Sequence, residues 1–154
     1  MQFENLIRED LRDFAPYASA RSEKVSGQIW LNANELPWDN ELEIQFDKIN
    51  RYPEQQPELL LEKLAQYHKI QTNELIVTRG SDEGIDLLIR LFCNARLDSI
   101  AALKPTFGMY KVCAKIQGIE YIEIDLDANN NYQLDINKIY SSINEQTKII
   151  FLCH

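Results

Sequence analysis

Residues 75–92 read LIVTRGSDEGIDLLIRLF. The run Leu75-Ile76-Val77-Thr78 is apolar, β-branched and of strand length, and Arg79-Gly80-Ser81 is a turn. Apolar residues then recur at 85, 88, 89 and 92, a helical spacing. Strand, tight glycine turn and helix together aim backbone N–H groups at an anion. Gly80 lets a phosphate approach the backbone closely, and Ser81 can cap the helix or donate its hydroxyl. A purely structural reading stands beside this one: Ser81 is only an N-cap, with Asp82 and Glu83 favouring the helix dipole. The two carboxylates oppose a bare anion unless their side chains turn away and the amides do the binding.

Working outward, the segments after this unit alternate strand and helix. Residues 99–103 (SIAAL) predict a strand, 104–108 (KPTFG) a turn, and 109–117 a helix ended by Gly118. Residues 120–126 (EYIEIDL) predict a strand, 127–131 a loop, and Asp135 the N-cap of a helix over 136–143. Residues 148–153 (KIIFLC) predict a last strand. The order β-α-β-α-β-α-β implies parallel strands with right-handed crossovers, hence an α/β layered sheet. In such sheets ligands bind beyond the carboxyl ends of the strands. The chain stops at one of those ends, so it reads as a fragment.

Before residue 75 the pattern is weaker. Asn5 to Phe14 could form a short helix, broken by Pro16-Tyr17 and followed by a polar linker. Ile29-Trp30-Leu31 passes into the polar turn Asn32-Ala33-Asn34-Glu35. Pro53 pushes Tyr52 out of helical geometry, so Tyr52 either packs locally or reaches towards another subunit. Residues 57–68 predict an amphipathic helix with Pro57 in its first turn and His68 near its end.

The totals limit the function classes. A chain of 154 residues suits one domain, or one domain plus an arm. A net charge of −8 argues against nonspecific nucleic-acid binding. No apolar run approaches the roughly 18 residues that span a bilayer, and the polar N-terminus is no signal peptide. Cys93, Cys113 and Cys153 are widely separated, without a CxxC pair, and read as buried thiols of a cytoplasmic protein. His68 and His154 form no triad or ligand pattern, so no metal site is expected.

Five segments in register carry a resemblance: LNANE (31–35), NRYPE (50–54), TRGSDEGIDLLIRLFC (78–93), PTFGMY (105–110) and IIFLCH (149–154). In order and spacing they resemble the N-terminal half of histidinol-phosphate aminotransferase, a family of pyridoxal-phosphate enzymes with the aspartate-aminotransferase fold. The resemblance implies an α/β, three-layer, mostly parallel sheet belonging to the N-terminal half of the large domain, with an N-terminal arm. It divides the chain into 1–50, arm and small-domain segment, and 51–154, the first part of the cofactor-binding large domain. It also implies a cytoplasmic homodimer with shared active sites, acting on glutamate and histidinol phosphate in histidine biosynthesis, with pyridoxal 5'-phosphate as electron sink.

Residue by residue, the resemblance puts the cofactor phosphate on the backbone amides at Gly80, Ser81, Asp82 and Glu83. Phe107 falls where the family has a tyrosine stacked on the pyridine ring, which keeps the flat face and loses the hydroxyl. Tyr52 falls where a tyrosine reaches the cofactor phosphate of the partner subunit. Tyr17 and Asn34 match positions on the substrate side. The Schiff-base lysine of the family has no counterpart here; Lys104 and Lys148 match no such position and read as solvated. No catalytic residue is therefore assigned, and the 154 residues alone are expected not to transaminate. Two alternatives stay open: a related pyridoxal-phosphate enzyme (an aromatic aminotransferase or threonine-phosphate decarboxylase), or a non-catalytic α/β module that binds a phosphorylated ligand.

Overall fold

The computed structural model describes residues 6–14, 26, 29, 33, 35, 38 and 51–153. Contacts divide the chain into two compact units, one of residues 1–17 and 80–154, the other of residues 18–79.

In the second unit, α1 (Glu58–His68) follows Pro57 and ends at Lys69, which takes a left-handed conformation (φ 58°) and donates its N–H to the Ala65 carbonyl. A single 3-10 turn, Thr72–Glu74, is closed by the Glu74 carboxylate accepting from the Gln71 backbone at 2.8 Å. Residues 75–78 form no strand, which corrects the sequence expectation. A strand exists only through a neighbour, and this run is not part of the β2-β1-β3 sheet. Gln56 instead takes one of its edges: its Oε1 accepts from the Val77 N–H at 2.7 Å, and its Nε2 donates to the Val77 carbonyl at 2.9 Å. Ile76 is left exposed.

The other unit holds α2 (Ser81–Phe92), β1 (Ser99–Lys104), α3 (Met109–Gln117), β2 (Glu120–Asp125), α4 (Ile136–Ser142) and β3 (Thr147–Phe151). The three strands are parallel in the order β2-β1-β3. Because β2 and β3 flank β1 on opposite sides, successive right-handed crossovers place α3 and α4 on opposite faces. The side chains follow. Ile100 packs with Ile85, Ile89, Cys93, Cys113, Ala114 and Ile119 on the α2/α3 face. Ala101 and Leu103 pack with Ile124 and Ile139 on the α4 face. Alternation along a strand sends neighbours to opposite faces, and a central parallel strand is buried on both. Ser99 through Leu103 are all buried accordingly. Burying an isoleucine completely stabilises a fold by about 1.5–3 kcal/mol, so Ile89 and Ile100 anchor this face.

Local chemistry sets the helix ends. Gly118 takes φ 75° and donates its N–H to the Ala114 and Lys115 carbonyls, closing α3. The Asp135 carboxylate accepts from the Asn137 and Lys138 amides and caps α4. Two expectations are not met. Among residues 6–14, Leu6 and Glu9–Leu11 take 3-10 geometry and no α-helix forms; the Arg8 guanidinium reaches the Ile116 carbonyl at 2.6 Å. Cys93 and Cys113 are buried, whereas Cys153 is exposed because it lies past the last paired residue of β3.

Candidate functional site

Helix α2 connects to the start of β1 through residues 93–98, so it runs back against β1. Its 12 residues span about 18 Å and the six of β1 about 20 Å. The N-terminus of α2 therefore lies at the carboxyl edge of the sheet, where open parallel sheets bind ligands. Gly80 is the N-cap, with φ 93° and ψ 169°, a backbone region open essentially to glycine alone. A Cβ built there would meet nothing within 4 Å, so the glycine is required by its dihedrals and the space above it is open. Ser81 is the first helical residue, so the N-cap is Gly80 and not Ser81, contrary to the reading in which Ser81 only caps the helix.

Gly80, Ser81 and Asp82 are exposed, and Glu83 is half-buried. The first amides of a helix have no acceptor within it and carry the positive end of its dipole. No described residue hydrogen-bonds the Ser81 or Asp82 amide. The Cys113 thiol of α3 is pushed up first by burial and then by the charges of Asp86 and Asp82.

The loop after β1 supplies an aromatic surface at the same edge. Phe107 is half-buried and packs against the cluster that contains Ile85 of α2. Its ring meets Tyr110 edge-on, centroids 5.8 Å apart at 87°, and Tyr110 stacks on Phe151 at 4.2 Å and 13°. Burial pushes the Tyr110 phenol up, assisted by the neighbouring Cys153 thiol. Beside Phe107, the buried Thr106 Oγ1 has no hydrogen-bond partner among the described residues.

The structure thus brings Gly80, Ser81, Asp82, Glu83 and Phe107 into one unit. Tyr52 belongs to the other unit and is 98% exposed on its connector. Tyr17 and Asn34 lie outside the described residues. Lys148 donates to the Glu145 carbonyl at 2.7 Å and sits 3.6 Å from Asp98; Lys104 faces Glu123 at 3.3 Å. Both are exposed at the surface, as expected of solvated amines. Gln56 was not singled out by its sequence, since a glutamine in the polar connector Glu54-Gln55-Gln56 carries no signal there. Its bidentate grip on Val77 is visible only in three dimensions.

The fold is that of the aminotransferases. Tyrosine aminotransferase from Leishmania infantum superposes with a TM-score of 0.62 at 23% identity, covering 67% of this chain and 28% of that one. Residues 26–154 match the aminotransferase class I and II family, and the chain belongs to that family. Histidinol-phosphate aminotransferase from Francisella philomiragia is 49% identical over 150 residues, 97% of this chain and 40% of that protein. The protein of the same name from Aliivibrio fischeri is 42% identical over 150 residues, 97% of this chain and 42% of its own length. The chain thus spans about two-fifths of the length of these relatives.

Proposed function

We propose that this chain forms the phosphate-gripping part of a pyridoxal-phosphate-dependent aminotransferase of the histidinol-phosphate type. The observation that carries the reading is Gly80: a glycine-only conformation opens the first turn of α2 to solvent at the carboxyl edge of the sheet. The residues present fit the group. The Ser81 and Asp82 amides would hold its phosphate, and Phe107 offers a flat apolar face for its ring. Bound there, pyridoxal 5'-phosphate supplies the electron sink for moving an amino group.

Tyr52, exposed on its connector, would reach the cofactor phosphate in a partner subunit, making a homodimer with shared sites. Tyr17 and Asn34 would face the substrate. The identity of 49% and 42% to proteins named histidinol-phosphate aminotransferase supports histidinol phosphate and imidazole-acetol phosphate as one side of the reaction; glutamate as the amino donor and a cytoplasmic location are part of the same proposal. The family's Schiff-base lysine has no counterpart among these 154 residues, which supports the reading that they do not transaminate by themselves.

Two assays on the chain test this. Pyridoxal 5'-phosphate binds and pyridoxal, which lacks the phosphate, does not; equal binding of both would contradict the cradle. With glutamate and imidazole-acetol phosphate added, no amino transfer occurs and borohydride traps no stoichiometric pyridoxyllysine. Turnover with one labelled lysine would overturn the assignment of no catalytic residue.

A further inference from the structure

We propose that Glu123 is a positioning residue for Phe107, clasping the two lysines that bracket the loop between β1 and α3; this rests on the reading above in which Phe107 faces the cofactor ring. Lys104 is the last residue of β1 and Lys111 the third of α3. Residues 105–110, Phe107 among them, therefore lie between the two amines. Both amines converge on one carboxylate of β2. Lys104 Nζ donates to Glu123 Oε2 at 3.3 Å, and Lys111 Nζ donates to Glu123 Oε1 at 2.7 Å. Each oxygen thus serves one end of the loop.

The carboxylate is the fixed member of the group. Glu123 pairs in register with Ala102 of the central strand, and its side chain is 32% exposed against 57% and 65% for the two lysines. Lys111 Nζ also lies 5.8 Å from the ring centroid of Tyr121, two residues before Glu123 and so on the same face of β2. Tyr121 and Phe107 both pack against the α2/α3 cluster, which puts the clasp and the Phe107 ring on one side of the sheet. The bond from Lys111 is the main reason the Glu123 carboxyl is held below the usual glutamate range, so it is charged at neutral pH. Core packing of Phe107 and Tyr110 gives the loop its apolar seat. The clasp adds a fixed span between the loop's ends, which leaves the backbone between them fewer conformations. In this role Glu123 acts through the loop on the plane of the Phe107 ring and touches neither ring nor phosphate of the cofactor.

The test titrates the 154-residue chain, labelled with 15N, with inorganic phosphate and with pyridoxal 5'-phosphate, in the wild type, Glu123→Gln and Lys111→Met. Glu123→Gln keeps the shape and removes the charge. Lys111→Met removes one amine from outside the sheet, and reads the same loop should Glu123→Gln not fold. Expected in both variants is a lower heteronuclear NOE at the Thr106, Phe107 and Gly108 amides, with Ile100 to Leu103 of β1 unchanged. Inorganic phosphate binds as in the wild type, while pyridoxal 5'-phosphate binds about threefold more weakly or worse, the scale of two half-exposed ion pairs. That split marks a ring-positioning role, because a general loss of structure would weaken both ligands. Unchanged loop order, unchanged affinity for pyridoxal 5'-phosphate, or equal weakening of the two ligands would overturn the proposal. If neither ligand moves the Ser81 or Asp82 amide of the wild type, the cradle reading fails, while the order of Thr106 to Gly108 still decides whether Glu123 holds the loop.

Discussion

The Asp98 carboxylate accepts from the Asn94 backbone nitrogen at 2.7 Å and from the Asn94 side-chain amide at 3.0 Å. These bonds close the turn that joins α2 to β1, and so hold the helix whose other end forms the candidate cradle. Asp98 is buried, with Lys148 3.6 Å away. The backbone bond from Asn94 is the main reason its carboxyl is held below the usual aspartate range. A depressed folded value stabilises the fold above the unfolded value, and that contribution fades as pH falls through the folded one. Thermal melts of wild type and Asp98→Ala should differ by several degrees at pH 7, and the gap should narrow below about pH 4. A gap constant between pH 3 and 7 would show that the carboxylate charge is not what matters.

Gly80→Ala should disturb the cradle and spare the core. The space around a Cβ is open, so the cost is backbone conformation, about 1–3 kcal/mol for a non-glycine residue in this region. Phosphate binding should weaken tenfold or more while circular dichroism of the sheet and helices is unchanged. Wild-type affinity in the alanine variant would mean the left-handed dihedrals are not needed for the site.

Thiol chemistry distinguishes the three cysteines. Burial pushes the Cys93 and Cys113 thiols up, and both are nearly inaccessible, whereas Cys153 is exposed. A thiol reagent such as DTNB should label Cys153 alone in the native chain and all three in denaturant. Fast native labelling of Cys113 would contradict the packing of α3 on α2.

Ile89→Ala removes a side chain with no exposed surface from the centre of the α2/α3 face. The expected loss is about 2–5 kcal/mol in denaturant unfolding. Leu91→Ala, on the exposed side of the same helix, should change stability by under about 0.5 kcal/mol. Equal losses would mean that α2 is seated by its other face.

Much of the fold was legible because its signals are local. Gly118 ends α3 and Asp135 caps α4 as their residue types require, and the alternation of β1, α3, β2, α4 and β3 follows from periodicity. What escaped was set by distant partners. Leu75 to Thr78 has strand composition, but pairing is a property of two segments, and here a glutamine 21 residues away answers Val77. Cys153 sits in an apolar run yet falls beyond the paired register. At the candidate site, the opening at Gly80 was legible from a glycine between strand and helix signals. That Gly80 itself is the cap, with Ser81 inside the helix, needed the dihedrals.

The most direct test is a titration of the 15N-labelled chain with pyridoxal 5'-phosphate. The expected result is saturable movement of the Ser81 and Asp82 amides, with a smaller effect at Phe107 and none along β2. Binding that shifts other residues and leaves Gly80 to Asp82 unmoved would contradict a phosphate held at the start of α2.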